Sequence, residues 1–303
     1  MSMRRWLIGA SVVAATAALN AQDIVFSSKV EAVRVDVLVT DRDKGGAVLG
    51  LKPSDFELRD NGVLQQVDLV SFEQIPLNVV LALDMSESVS GNRLEQLREA
   101  SSGLLGGLTR DDQAGLITFT QRVVLGSKLT NDLAKIREAM TPLNDVGDTS
   151  IIDATYAAMM LGESDVGRGL VIVFSDGLDT ASWLTADLVL NTAKRSDVVV
   201  YSVVVRGGAA PRFLRDLSAF SGGSLFEIES TQNLNALFVR ILDEFRHRYL
   251  VSYTPRNVSK KGWHRLEVLV TGRKTTARRL AITWNGCCAL TRTWTRRRKP
   301  GTT

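Results

Sequence analysis

Residues 77–92 read LNVVLALDMSESVSGN, and their pattern decides the fold. Val79, Val80, Leu81, Ala82 and Leu83 form an unbroken apolar run of strand length. A strand covered on one face alternates apolar and polar residues. One covered on both faces, as in a parallel sheet between helices, is apolar throughout. The run stops at Asp84, a polar turn follows through Met85, Ser86, Glu87 and Ser88, and a helical pattern starts near Arg93. Strand, turn and helix in that order put Asp84, Ser86 and Ser88 at the carboxyl end of a central strand, where open α/β sheets carry their ligand sites.

Three oxygen-bearing side chains at alternate positions of such a turn can converge on one point. Their chemistry suits a hard cation, Mg2+, Mn2+ or Ca2+, and Mg2+ asks for near-octahedral oxygen geometry. The same residue types also cap helices, and on this turn alone that reading stands beside the metal one.

Toward the carboxyl terminus, strands and helices alternate. Leu94, Leu97, Leu104, Leu105 and Leu108 mark one face of a helix whose end is weakened by Gly103, Gly106 and Gly107. Residues 114–119 and 122–125 read as strands and 132–140 as a helix closed by Pro142. Residues 150–161 form a helix rich in small side chains, which implies close packing on the sheet. Residues 169–174 are a second buried strand, running into Ser175 and Asp176. Helices over 185–194, 211–220 and 234–248 then alternate with strands over 198–205 and 224–228. This alternation predicts βα units: a doubly wound, mainly parallel α/β sheet with helices on both faces.

Both flanks are β in character. Val33, Val35, Val37 and Val39 alternate with other residues as in a half-buried strand. Residues 56–59 and 63–72 read as a hairpin about Asp60-Asn61-Gly62, since Asn-Gly between two β-like runs is a strong turn signal. Asp41, Asp43, Asp55 and Asp60 are expected to serve turns. Residues 249–253 and 263–271 return to strands, and the two flanks are expected to complete one small antiparallel sandwich.

The turn at Asp84-Met85-Ser86-Glu87-Ser88 resembles the D-x-S-x-S of the von Willebrand factor type A (VWA) domain. The metal-ion-dependent adhesion site of that family takes a threonine and an aspartate from two later loops. Residues 147–154, GDTSIIDA, resemble the first loop, and residues 171–177, VIVFSDG, the strand and turn of the second. The resemblance implies a site of Asp84, Ser86, Ser88, Thr149 and Asp176, with the hydroxyls meeting the cation and the aspartates acting directly or through water. It implies Mg2+, or Mn2+ or Ca2+, as cofactor. The partner it implies is a protein presenting an Asp or Glu side chain to the metal. Asp153 is expected to cap or brace its own helix and Glu87 to lie on the rim. The flanks, with YLVSYTP at 249–255, are similar to the VWA-related proteins abundant in acidobacteria.

Composition narrows the remaining choices. The chain of 303 residues is 45% hydrophobic, as globular proteins are. Nine basic residues and no acid lie from Arg273 onward; subtracting them from the formal +4 leaves −5 for the rest. No basic face with base-reading elements is visible, which argues against nucleic acid. Arg4 and Arg5 precede an apolar stretch ending in small residues, a secretory signal pattern cut after Ala21, or after Ala17 or Ala18, with an uncleaved anchor as the alternative. The stretch is shorter than the roughly 20 apolar residues a membrane span needs. Cys287 and Cys288 are the only cysteines and supply no disulfide framework.

The expected organisation is therefore a signal peptide over 1–21, a β region over 22–75, the type A domain over 76–249, strands over 250–279 packing with 22–75, and a disordered tail over 280–303. The expected protein is a secreted or periplasmic binding module without catalytic activity, with no membrane span after signal cleavage. A metal-dependent hydrolase is the alternative from another class. Against it, Ser86 stands where a second acid would be needed, and neither His247 nor His264 lies in a matched segment. A structural scaffold with an unused metal site is the third reading.

Overall fold

The computed structural model describes residues 32–41, 47–71, 75–86, 89, 91–140, 148–163, 166–176, 178–205, 211–259, 264–271 and, by backbone alone, 275–279. The signal segment, the tail with its cysteine pair, Glu87 and Ser88 lie outside the described residues. Strands β1 (Val33–Asp41), β2 (Phe56–Asp60), β3 (Val63–Gln65) and β4 (Val67–Ser71) precede the α/β body. Asn61 at φ 48° and Gly62 at φ 83° both take the left-handed conformation that a tight hairpin turn between β2 and β3 requires. The single returning strand expected over 63–72 is instead two. Strand β3 stays with β2, whereas β4 joins a different sheet. Gln65 explains the corner: its amide donates to the Arg256 carbonyl at 3.0 Å and accepts from the Arg256 amide at 2.8 Å.

Strand β5 (Leu77–Asp84) is buried at every position. It lies between β6 (Gln113–Phe119) and β8 (Arg168–Ser175), parallel to both. Strands β9 (Val199–Val205) and β10 (Leu225–Ile228) continue the parallel sheet, and β7 (Val123–Thr130) closes the other edge antiparallel. The order is β10-β9-β8-β5-β6-β7. Leu77, Val79, Leu81 and Leu83 face a core shared with α1 (Asn92–Gly106), α2 (Leu133–Ala139) and α6 (Leu234–Arg246). Val80 and Ala82 face a second core with α3 (Ile151–Gly162), α4 (Ala186–Ala193) and α5 (Arg212–Ser221). This is the doubly wound arrangement, and the continuous apolar run follows from it. Helix α3 lies close to the sheet, as its small residues imply. A Cβ on Gly169 would stand 2.8 Å from the Gly162 carbonyl oxygen.

The sheet changes direction between β5 and β8, because the chain leaves β5 for β6 on one side and later places β8 on the other. Such a switch point opens a crevice at the carboxyl ends of the two strands.

The flanks form two small sheets around a third core. One has the order β13-β1-β11-β4 and the other β12-β2-β3, with β11 (Tyr249–Tyr253), β12 (Leu266–Val270) and β13 (Thr275–Arg279). Val35 and Val37 of β1, Leu58 of β2, Val251 of β11 and Leu266 of β12 share that core. Segments before and after the α/β body are thus joined in one sandwich. Asp60 is not a turn residue, as expected from sequence, but a fully buried one. It accepts a hydrogen bond from the Tyr253 hydroxyl at 2.9 Å and pairs with His264 Nδ1 at 2.7 Å. Burial, reinforced by the Asp60 carboxylate, pushes the Tyr253 phenol far above its usual range. Asp55 does serve a turn, accepting from the Lys52 amide at 2.8 Å.

A half-buried ion pair ties the sandwich to the α/β body, and a buried arginine anchors the link between α6 and β11. Arg168, at the start of β8, reaches Asp36 of β1 at 2.6 Å and lies 4.8 Å over the Phe245 ring of α6. Arg248, between α6 and β11, donates to the Tyr201 hydroxyl at 2.9 Å and the Gly222 carbonyl at 2.7 Å. Within the α/β body, Asp112 anchors the amino end of β5. It accepts from the Leu77 amide at 2.8 Å and the Thr109 amide at 2.7 Å, and Arg246 pairs with it at 2.9 Å. Burial works to raise the Asp112 pKa, but these hydrogen bonds outweigh it and hold the carboxyl below its ordinary 3.8. A depressed pKa stabilises the fold above the unfolded value and ceases to do so as pH falls through the folded one. We expect Asp112→Asn to cost about 2 kcal/mol near pH 7, the scale of a lost buried charged hydrogen bond. In urea titrations the deficit against wild type should narrow below pH 3.8.

Candidate functional site

Register brings the first two site residues together. Leu83 of β5 pairs with Phe174 of β8, so Asp84 and Ser175 stand side by side at the carboxyl ends. The Ser175 hydroxyl donates to Asp84 Oδ2 at 2.6 Å, and the Ser86 amide donates to Asp84 Oδ1 at 2.9 Å. Asp84, Ser86 and Ser175 are all buried. Burial raises the Asp84 pKa, hydrogen bonds from Ser175 and Ser86 oppose it, and the charge of Asp176 raises it again. The net shift is upward. Asp84 is thus an oriented carboxylate whose negative charge its surroundings do not fully offset. A nearby cation would reverse that imbalance.

Thr149 arrives by a strap. The Ser150 amide donates to the Thr120 carbonyl at 2.8 Å, and the Ser150 hydroxyl to the Gln121 carbonyl at 2.7 Å, both in the turn after β6. The Thr149 amide is met by the Thr180 hydroxyl at 2.8 Å, and the Thr149 carbonyl accepts from the Thr180 amide at 2.9 Å and the Ala181 amide at 3.2 Å, after β8. Strands β6 and β8 are the two neighbours of β5. Residues 149–150 therefore link the segments on either side of the carboxyl end of β5, where Asp84 lies.

The start of α3 is capped from this same loop. Asp179 Oδ1 accepts from the Ile152 amide at 3.2 Å, and Ser182 Oγ from the Ile152 and Asp153 amides at 3.1 Å each. Of the two roles expected for Asp153, it takes the bracing one and not the cap. Its two oxygens accept from the Trp183 and Leu184 amides at 2.9 Å each, fastening the loop to α3.

Asp176 follows β8 directly and is reached by Arg93, from the first turn of α1, at 3.1 Å. Of the five residues singled out from sequence, Asp84, Ser86, Thr149 and Asp176 belong to the segments gathered at this end of the sheet. Ser88 lies outside the described residues. Ser175, Arg93 and Thr180 were not singled out from the sequence. Pairing register alone reveals Ser175, and only the packing of α1 and the loop after β8 reveals the other two. Among the described residues no three His, Cys, Asp or Glu side chains gather as a metal cluster. The donor set is instead rich in hydroxyls and poor in carboxylates, all oxygen, which fits an incompletely neutralised hard cation.

A six-stranded, mostly parallel sheet covered by helices on both faces, with oxygen-bearing side chains gathered at its switch point, defines a doubly wound α/β domain. The family model for the von Willebrand factor type A domain matches residues 78–240, more than half of the chain, which belongs to that family. Members often mediate protein–protein interaction and adhesion. The chain is 28% identical over 165 residues to human inter-alpha-trypsin inhibitor heavy chain H4, covering 49% of this chain but only 18% of that protein. It is 24% identical over 195 residues to an uncharacterised protein of Borreliella burgdorferi, covering 57% of this chain and 56% of the other. Among solved structures, proximal thread matrix protein 1 from the mussel byssus aligns with TM-score 0.51 at 14% identity, over 62% of this chain and 51% of that one. Its form with a zinc-occupied MIDAS motif aligns with TM-score 0.52 at 15% identity, over 60% of this chain and 48% of that one. At such identities the structural likeness concerns the fold. No helix among the described residues is long and apolar enough to cross a membrane.

The raised pKa of Asp84 has a stability consequence with a definite sign. A carboxyl whose folded pKa exceeds its unfolded one favours folding below the unfolded value, and that contribution is lost as pH rises through the folded value. Ionised Asp84 therefore costs stability at neutral pH when no cation is bound. In EDTA at pH 7.5, Asp84→Asn should melt at a higher temperature than wild type, and the difference should shrink toward the ordinary carboxyl value of 3.8. A variant less stable at every pH would contradict this account of the charge.

Proposed function

We propose that this chain is a non-enzymatic binding module that recognises an acidic side chain of a protein partner through a divalent cation. Ser86, Ser88 and Thr149 would hold the cation through their hydroxyls, and Asp84 and Asp176 directly or through water. The cation, Mg2+ or alternatively Mn2+ or Ca2+, supplies an open coordination position for a carboxylate oxygen. The chain's own part is to orient the ligands. Ser175 and the Ser86 amide fix the rotamer of Asp84, and Thr180 with the turn after β6 fixes the backbone of Thr149 and Ser150. Hydroxyl ligands are neutral, so the cation keeps residual charge for the partner.

The observation that carries this reading is the strap at 149–150 across the end of the strand that bears Asp84. An unaligned pair of motifs would not produce it. The zinc-occupied motif named for the mussel protein supports metal use in this fold. Trp183 adds an apolar contact: it is 93% exposed, yet its amide is fixed by Asp153 on the loop that carries Thr180. Tryptophan is among the side chains enriched at the energetic centres of protein interfaces. We further propose export, on the strength of the basic and apolar amino-terminal segment.

Asp84→Ala should abolish Mg2+ or Mn2+ binding in isothermal titration while leaving the far-ultraviolet circular dichroism unchanged. An unaltered titration would remove the metal assignment. With Asp84→Ala as the control, a Mg2+-dependent, EDTA-reversible capture of a protein from envelope extract should be seen with the wild-type chain alone. Chelator-sensitive turnover in a phosphatase and esterase panel would instead favour the hydrolase.

A further inference from the structure

Arg93 has no place in the ligand set, yet its guanidinium lies 3.1 Å from Asp176 Oδ2. Its side chain is about half exposed, whereas that of Asp176 is 10% exposed. The contact joins α1, which leaves the Asp84 turn, to the residue that follows β8, so it crosses the switch-point crevice. An exposed ion pair of this kind adds little to stability. Its effect on the charge of the crevice is larger, because the carboxylates beside it are withdrawn from water and screened less.

Resting on the metal-bridged reading above, we propose that Arg93 is a specificity-determining residue that weakens cation binding and strengthens binding of the partner's carboxylate. Asp84 and Asp176 ionised, taken with Arg93 alone, sum to one net negative charge. A divalent cation turns this into one net positive charge, which attracts a carboxylate. Without Arg93 the three side chains become two carboxylates, which grip a divalent cation more strongly but leave the loaded site neutral. Removal of Arg93 therefore moves two affinities in opposite directions, which a general loss of packing would not do.

The test uses the full chain, Mn2+ alone as the metal probe and acetate as the carboxylate probe. Calorimetry gives the Mn2+ affinity, and water-proton relaxation of the bound Mn2+ reports acetate as it displaces water. Arg93→Ala should bind Mn2+ roughly threefold or more tightly, and acetate weaker by a similar factor, the scale of a surface charge pair. Both effects should shrink in high salt. Arg93→Lys should stay near wild type. Arg93→Gln, which keeps a donor but loses the charge, should follow Arg93→Ala. Unchanged affinities in Arg93→Ala, a weakening of both, or a wild-type-like Arg93→Gln would each overturn the proposal while leaving the metal site standing. Absence of Mn2+ binding in the wild-type chain would instead remove the site itself and this inference with it.

Discussion

The hydrogen bond from Ser175 to Asp84 is the interaction from which the arrangement of the crevice follows. It joins the ends of two parallel strands whose faces are both covered by helices, so neither carboxylate oxygen of Asp84 can rely on water for solvation. A carboxylate in that position must be hydrogen-bonded or paired, because leaving it bare is expensive. Ser175 and the Ser86 amide supply the bonds, yet the pKa remains raised. The fold thus holds a carboxylate where burial works against its charge.

Everything around the crevice serves to keep it in one shape. The strap at 149–150 is held from the turn after β6 and from the loop after β8, and that loop is itself fastened to α3 through Asp153, Asp179 and Ser182. These are polar contacts between segments about 30 residues apart in sequence. A site assembled this way loses little conformational freedom on binding, which is the chief advantage of preorganisation.

The sandwich plays a different part. Its strands come from both ends of the α/β body, so β1 and β11 pair across more than two hundred residues of chain. Long closures of this kind are slow to form but fix the ends of the domain between them. The buried group of Asp60, Tyr253 and His264 fastens the two small sheets, and Arg168 carries the connection to the base of β8. The crevice lies at the opposite, carboxyl end of that strand, so anchoring and the candidate ligand site occupy separate ends of the same sheet.

The sequence by itself determined the class of the fold, because a strand covered on both faces must be apolar throughout, and residues 79–83 and 169–174 are. Topology alone placed Asp84 at a strand's carboxyl end; Thr149 and Asp176 were joined to it by the resemblance of residues 147–154 and 171–177 to the loops of the type A domain. Local patterning misassigned residues 63–72 as one strand, because the corner at Gln66 depends on amide bonds to Arg256, nearly two hundred residues away. Asp60 reads locally as a turn residue, and only the return of Tyr253 and His264 makes it a buried one. Ser175 lies within the matched stretch 171–177 but its bond to Asp84 is not legible there, and Arg93 carries no motif signal of its own. Their roles arise from register and from the direction in which α1 packs, and these are set by contacts between segments that local patterning does not encode.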